Sequence, residues 1–182
     1  MKKILLLLFF FSSILFAEAK IYFGTGYEYN SETVKYAGQD KTVSNNAALI
    51  KVGYGDINAY AVEFSFEYVD NKSNVFDSND GKKYGFNIEL LKSWNLGIFL
   101  NPFLKAGFGA GYLETPADLH NGSLTYGTFN MGTGCFIPVS EYFDIEIAYE
   151  YRITSYQKLD NALTNNPTSQ INIGYAGVNF RF

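Results

Sequence analysis

The sequence has few of the side chains that build disulfides and metal centres. It contains one cysteine, Cys135, and one histidine, His120. Neither an internal disulfide nor a histidine-based metal site is therefore expected. The net charge is −4 and there is no basic tract, which argues against nucleic-acid binding. Beyond residue 16 no apolar run is long enough to cross a bilayer as a helix.

The first 19 residues have the pattern of an export signal. Two lysines precede an apolar stretch over residues 4–16, and Ala17-Glu18-Ala19 has the small-x-small pattern of a signal-peptidase site. The apolar stretch is shorter than the roughly 18 residues that a membrane-spanning helix needs. We predict cleavage after Ala19, which leaves residues 20–182 as one exported domain.

The composition of this domain favours β-structure. Tyrosine (15), phenylalanine (17) and glycine (17) are abundant, and aromatic side chains are enriched in strands. Eight segments alternate with the period of two that is typical of strands: 21–30, 47–55, 60–69, 83–91, 102–113, 128–137, 143–152 and 171–182. They are separated by long polar connections (31–46, 70–82, 114–127 and 153–170) and by short ones (56–59 and 138–142). Residues 92–101 are ambiguous, because strands four and five could both extend into them around a tight turn.

The alternation separates two faces. One face of every segment is apolar and carries no charge. The opposite face carries the charged side chains, which we predict to line the interior of a closed barrel as paired ions: Glu28, Lys51, Glu63, Glu67, Lys83, Glu89, Lys105, Asp144, Glu146, Glu150, Arg152 and Arg181. Most strand glycines, such as Gly53 and Gly107, share this face. An eight-stranded barrel is only just wide enough inside for side chains, so small residues are expected there.

Tyrosines cluster at the ends of the predicted strands, while phenylalanine and aliphatic residues lie between them. An apolar ring with a wet hydroxyl suits the headgroup boundary of a membrane. We therefore predict an aromatic girdle of Tyr27, Tyr29, Tyr54, Tyr60, Tyr68, Tyr84, Tyr112, Tyr149 and Tyr151. The predicted fold class is all-β, an eight-stranded antiparallel up-and-down transmembrane β-barrel. The alternative is a soluble, secreted, lipocalin-like carrier, whose apolar face would turn inward.

The C-terminal residues carry the most specific pattern. Val178, Phe180 and Phe182 alternate and end the chain on phenylalanine, which resembles the terminal assembly signal of outer-membrane proteins. Residues 20–182 resemble the small eight-stranded family typified by the OmpA transmembrane domain, OmpX and the opacity proteins, with segments 102–112 and 144–152 similar in style to its fifth and seventh strands. The resemblance implies a monomer in the outer membrane of a Gram-negative bacterium. Its expected partners are outer-membrane lipid, lipopolysaccharide and the barrel-assembly machinery.

The functional expectation is a non-enzymatic barrel that displays four surface loops for structural, adhesive or other surface interactions, with a host or surface ligand at those loops. One alternative is a narrow ion or small-solute pore. A second is a lipid A-modifying enzyme, for which His120 with nearby Ser123, Glu114 and Asp118 would be the candidate residues. The prediction itself includes no catalytic residue, no cofactor and no metal.

Overall fold

The protein forms a closed antiparallel β-barrel. A computed structural model describes residues 19–36, 39–56, 59–69, 75–77, 79–116, 122–157 and 166–182. Within these ranges the strands are β1 (Lys20–Tyr36), β2 (Gln39–Gly55), β3 (Tyr60–Val69), β4 (Lys83–Ser93), β5 (Asn101–Glu114), β6 (Ser123–Ser140), β7 (Phe143–Tyr156) and β8 (Thr168–Arg181). Each strand pairs with the next, and β8 returns to pair with β1. This confirms the predicted eight-stranded up-and-down barrel.

Two sequence expectations concern residues that are not described. The predicted signal segment is residues 1–19, of which 1–18 lie outside the described residues, and so do Asp118 and His120. No helix in the described part of the chain is long and apolar enough to cross a membrane.

The predicted first long loop, 31–46, is wrong. β1 and β2 remain paired through this segment as far as Tyr36 and Gln39, and β1 pairs with β8 up to Lys35 and Thr168. The apolar alternation is lost here because the outward residues of the segment, such as Thr33 and Thr42, are polar, whereas the backbone ladder forms with any side chains. β1 therefore continues seven residues past Tyr29, or about 23 Å at roughly 3.3 Å per residue.

Several other boundaries also differ from the predicted ones. Strand three matches, but β6 begins at Ser123 and β7 runs on to Tyr156, which shortens two of the predicted long loops. β6 also continues to Ser140 through a register shift near Pro138. The ambiguous segment adds few residues to the strands, and residues 94–100 form a turn in which Gly97 adopts a left-handed conformation (φ 68°).

Burial alternates along the strands and places the apolar face outside. Phe108 is 70% exposed on the outer surface, whereas Glu63 is 1% exposed inside. A lipocalin-like carrier requires the opposite arrangement, so that alternative is wrong. The interior is crowded: a Cβ atom added at Gly107 would collide with the backbone carbonyl of Ile88. Glycine at such positions leaves room for the charged side chains of neighbouring strands.

Two apolar clusters lie inside the barrel. The first, called here the lower cluster, lies toward the end that carries Lys20 and Phe182 and consists of Tyr22, Leu49, Ala61, Leu91, Phe103, Phe136, Ala148 and Tyr175. The second, the upper cluster, lies toward the opposite end and consists of Val34, Val75, Leu113, Tyr126 and Tyr156. Charged side chains occupy the space between and beside them.

Candidate functional site: the barrel interior and its upper mouth

Lys51 is the centre of the lower part of the ionic interior. Its Nζ atom lies 3.0 Å from Glu63 Oε1 and 2.5 Å from Glu146 Oε2, and all three side chains are at most 2% exposed. The Tyr22 hydroxyl donates to Glu63 at 2.7 Å, and Asn179 Nδ2 donates to Glu146 at 2.9 Å. One cation thus holds two carboxylates, each of which has a second, neutral donor.

The middle of the interior contains a chain of alternating charges. Lys105 Nζ lies 2.9 Å from Glu89 and 2.7 Å from Glu150. The other oxygen of Glu150 accepts from the Arg152 guanidinium at 2.8 Å, and Arg152 also pairs with Glu67. Side chains therefore link β7 across the lumen to β5 and to β3, which are not its neighbours in the wall. Such a network fixes the positions of its members, because each carboxylate is shared between donors.

The upper part of the interior is built on a residue that the sequence analysis missed. Glu32 accepts from Lys83 Nζ at 2.7 Å, from the Tyr156 hydroxyl at 2.5 Å and from Ser169 Oγ at 2.6 Å. The predicted first strand ended at residue 30, so Glu32 was assigned to a loop. It continues the inward alternation of Glu28, and that alternation was the available signal.

The predicted lumen charges all point into the barrel. Ten are buried, and Lys105 and Arg181 are half-buried. Near the end that carries Lys20 and Phe182, Arg181 pairs with Asp144. Glu28 differs from the rest, since within the described residues it makes no ion pair or hydrogen bond, and its Oε2 atom is buried. Among the described residues of the strands, eight buried carboxylates (Glu28, Glu32, Glu63, Glu67, Glu89, Asp144, Glu146 and Glu150) thus face five paired cations (Lys51, Lys83, Lys105, Arg152 and Arg181).

A short segment between β3 and β4 closes the upper mouth, and we call residues 75–77 and 79–82 the lid. Val75 is 1% exposed and packs in the upper cluster. The Phe76 ring stands edge-on to Tyr156, with centroids 5.0 Å apart. The side chains of Val75 and Phe76 thus cover the interior directly above the Lys83–Glu32 pair. This apolar cover separates the pair from the solvent.

The lid is held by carboxylates. Asp80 Oδ2 accepts from the backbone N–H groups of Phe76 (2.6 Å) and Asp77 (3.0 Å). Burial raises the pKa of the Asp80 carboxyl above its ordinary value, although the two backbone donors act in the opposite direction. Glu114, at the end of β5, accepts from Lys82 N at 3.2 Å, and its carbonyl accepts from Gly81 N at 2.8 Å. The lid is therefore tied to itself and to the β5 wall.

The candidate enzyme residues do not come together as a described catalytic site. Glu114 and Ser123 are register partners at the ends of β5 and β6, but Glu114 is engaged with the lid, and His120 lies outside the described residues. Among the described residues no group of three or more histidine, cysteine, aspartate or glutamate side chains is arranged to hold a metal ion.

The predicted girdle tyrosines lie on the outer surface near both ends of the barrel. The rings of Tyr68, Tyr84 and Tyr112 form a continuous row, with centroids 5.3 Å and 4.7 Å apart. Tyr29 and Tyr149 share a second row through β8. Tyr27 and Tyr151 flank these rows, and Tyr54 and Tyr60 lie at the other end.

Above the row of Tyr29, the outward residues of β1, β2 and β8 become polar, among them Thr33, Thr42 and Gln170. The chemistry of the outer surface therefore changes at the tyrosines. The residues of the proposed assembly signal also face outward: Phe180 packs on Phe143 (5.0 Å) and Phe182 on Phe23 (6.0 Å), with Val178 half-buried beside them.

Comparison with known proteins shows that this chain is similar to others in structure. No protein-family model matches the sequence, and no curated protein sequence matches it. The structure of neisserial surface protein A is 15% identical and aligns over 88% of this chain and 97% of that one, with a TM-score of 0.62. Ail, the attachment invasion locus protein of Yersinia pestis, solved with the heparin analogue sucrose octasulfate, is 18% identical over 91% and 99%, with a TM-score of 0.56. OprG, an outer membrane protein from Pseudomonas aeruginosa, is 13% identical over 90% and 95%, with a TM-score of 0.54.

These likenesses agree with the physical character of the barrel. An apolar outer band with tyrosines at both ends, around a polar and tightly filled interior, is the arrangement that a bilayer requires of a β-barrel. The chain therefore has the fold of the small eight-stranded barrels of the Gram-negative outer membrane, with the apolar outer surface in the lipid-facing position.

Proposed function

We propose that this protein is a non-enzymatic outer-membrane barrel that displays its upper end, the lid and the β1–β2 hairpin, for contact with other surfaces. The observation that carries the proposal is the closure of the interior. Val75 is buried in the upper mouth, paired ions fill the middle, and the lower cluster packs around Tyr22 and Phe136. A barrel filled in this way is a rigid support, and loops on rigid supports commonly carry the function.

The proposed topology has the upper end outside the cell. Three of the predicted long connections, two of them shortened as described, join strands at this end, where the extended hairpin also lies. Outer-membrane barrels have their longer loops on the extracellular side. The polar outward residues of the hairpin support this orientation. Thr33 and Thr42 hydrogen-bond to each other at 2.9 Å, and Lys35 lies opposite Asp40. Such a surface suits water or sugar more than acyl chains.

Two structural neighbours bear names that fit a surface role. One is a surface protein, and the other is an attachment protein that was solved with a heparin analogue. Adhesion to a host or surface ligand is therefore the finer form of our proposal. The hairpin carries charges of both signs, so both sulfated and neutral polysaccharides belong among the probes.

An epitope tag would test the topology directly. A tag inserted between Tyr36 and Gln39 should bind antibody on intact cells. The same tag inserted at Gly97, in the β4–β5 turn, should bind only after the outer membrane is permeabilised. The reverse pattern would contradict the proposed orientation.

Surface binding is tested with whole cells. Cells that express the barrel should bind immobilised polysaccharide or host matrix more than cells without it. Replacing Thr33, Lys35 and Thr42 by alanine should reduce that binding, because these side chains form the outward face of the hairpin. An Asn95→Ala variant, altered only in the β4–β5 turn, is the matched control and should bind like the wild type. Equal binding by wild-type cells and cells without the barrel would argue against adhesion.

The narrow-pore alternative makes a different electrical prediction. The closed interior should give no steady single-channel conductance in planar bilayers, whereas a pore would conduct and would favour cations because carboxylates outnumber cations inside. A steady cation-selective conductance in the wild type would replace our proposal with the pore.

The enzyme alternative would be revived by a change in the lipid A profile that depends on expression and is lost in a His120→Ala variant.

A further inference from the structure

A lysine, Lys92, lies on the apolar outer surface of the barrel wall, near the end that carries Lys20 and Phe182. Lys92 was not included in the predicted fourth strand, but β4 continues to Ser93 and Lys92 faces outward, paired with Tyr60 on one side and Leu104 on the other. Its Nζ atom lies 4.0 Å from the Tyr60 ring centroid and 5.9 Å from that of Trp94. Two aromatic rings thus hold a half-buried ammonium group at the edge of the lipid-facing band.

An apolar groove begins at this lysine. It crosses the outer wall from Leu90 and Lys92 on β4 to Tyr149 and Tyr151 on β7, and its volume is about 560 Å³. The small side chain of Ala106 lies along it, between larger neighbours. A concave apolar surface of this size is in the range of small-molecule sites, and one of its ends carries a positive charge.

The β4–β5 turn extends the same apolar surface beyond the barrel wall. Trp94, Leu96, Ile98 and Phe99 are all exposed, and Phe99 is 74% exposed. The backbone N–H of Trp94 donates to the Pro102 carbonyl at 3.0 Å, so the turn continues directly from the β4–β5 ladder. The turn and the groove form one apolar surface, with Lys92 between them.

We propose that the groove, Lys92 and the turn form a binding site for a membrane glycerophospholipid. One acyl chain lies in the groove along Ala106, the phosphate contacts Lys92, and the turn inserts among neighbouring lipids at the level of Trp94. The site rests on the proposed membrane function and topology, which put this end of the barrel in the phospholipid leaflet. Charge complementarity to a phosphate and continuity with the lipid-facing band select a phospholipid over a protein partner.

The barrel supplies its own control surface. A second apolar groove, of about 540 Å³, lies against Phe23, Ile50, Val52, Phe64 and Phe86. Its one charged neighbour, Lys51, points into the lumen, where it pairs with Glu146. The two grooves are similar in size and apolar character, and they differ in the presence of an outward cation.

The test is native mass spectrometry of the purified full-length mature barrel, released from detergent after titration with phosphatidylglycerol, alone and in an equimolar mixture with lipid A. Lys92→Gln should lower the retained phospholipid about five-fold, the factor expected when one lysine near a phosphate surface is lost. Ala106→Phe fills the groove and should lower it about as much. Lys92→Arg, which keeps the charge, and Val52→Phe, which fills the second groove, should retain phospholipid like the wild type. Each of three results overturns the site: unchanged retention in Lys92→Gln, equal losses from the two groove-filling variants, or preferred retention of lipid A or of a second copy of the chain.

A fluorescence measurement separates failure of the site from failure of the membrane assignment. Trp94 is the one tryptophan in the chain. In vesicles, lipids brominated near the headgroup should cause at least about a two-fold loss of its emission, because the ring lies at interfacial depth. A Trp94→Phe/Phe108→Trp variant moves the probe to the middle of the band, where lipids brominated near the chain methyl should quench it. If this variant is not quenched, the membrane assignment fails. If it is quenched while Trp94 is reached only by aqueous acrylamide, the proposed site alone fails.

Discussion

Replacing Lys51 by methionine should be among the most destabilising single changes in the barrel. The substitution keeps the apolar stem but leaves Glu63 and Glu146 facing each other without their cation, at side-chain exposures of 1% and 0%. Removing one partner of a buried ion pair typically costs about 3–5 kcal/mol. The donors Tyr22 and Asn179 remain in place, so we expect the lower part of that range.

The reverse change should cost much less. In Glu146→Gln, Lys51 keeps Glu63, and the new amide oxygen still accepts from Asn179. The interior also loses one of its surplus carboxylates. The expected loss is about 1 kcal/mol, that of a weakened hydrogen bond. The charge surplus therefore predicts an asymmetry: loss of a base costs more than loss of the acid that it contacts.

The assay is reversible urea unfolding from phospholipid vesicles, followed by tryptophan fluorescence and by heat-modifiable gel mobility. Lys35→Met removes an exposed lysine of the β1–β2 hairpin and is the matched control, with an expected loss below about 0.5 kcal/mol. If Lys51→Met loses no more stability than Lys35→Met, or if Glu146→Gln loses as much as Lys51→Met, the account of the ionic interior is wrong.

Three further predictions concern the outer surface of the wall, its glycines and the lid. Phe108→Lys, in the middle of the apolar band, should lower the free energy of unfolding in vesicles by about 2–4 kcal/mol, whereas Tyr112→Lys at the girdle should lower it by at most about 1 kcal/mol; equal losses would argue against the lipid-facing assignment. Gly107→Ala should reduce stability by about 1–3 kcal/mol because its Cβ meets a backbone carbonyl, whereas Gly174→Ala, with open space around it, should fold normally. A Val75→Cys variant without the native cysteine should react with maleimide at least about tenfold faster in urea than when folded, since Val75 is 1% exposed; equal rates would show that the lid is open.

The orientation of the wall could be read from the sequence because a bilayer imposes a strict pattern on it. A charge facing hydrocarbon is costly, so alternating residues such as Glu146 and Ile147 reveal which side of β7 faces inward. The strand count follows from the same pattern. Where the membrane ends, the pattern ends too, and the polar residues 39–46 of β2 gave no indication that they continue a strand.

The partners of the ion pairs inside the barrel could not be predicted from the pattern of any one strand. Lys51 is ninety-five positions before Glu146, and the stagger of all the strands between them decides that the two side chains meet. The structure places Lys83 on Glu32, a residue that was not among the predicted lumen charges. The lid was beyond prediction for a similar reason, because Val75 and Phe76 in an otherwise polar connection carry no periodicity.

The seam between β1 and β8 has a consequence for how the chain reaches this state. The other seven strand contacts join neighbours in the sequence and can form as local hairpins. The seam joins Tyr22 to Arg181, so its formation must wait until all the hairpins have been assembled, and it carries a large entropic cost of ring closure. Before that step, β1 and β8 each expose a strand edge, and the acidic lumen is open to its surroundings. Closure should therefore be the slow and concerted event in assembly, and changes at the seam should alter the folding rate more strongly than comparable changes in any hairpin.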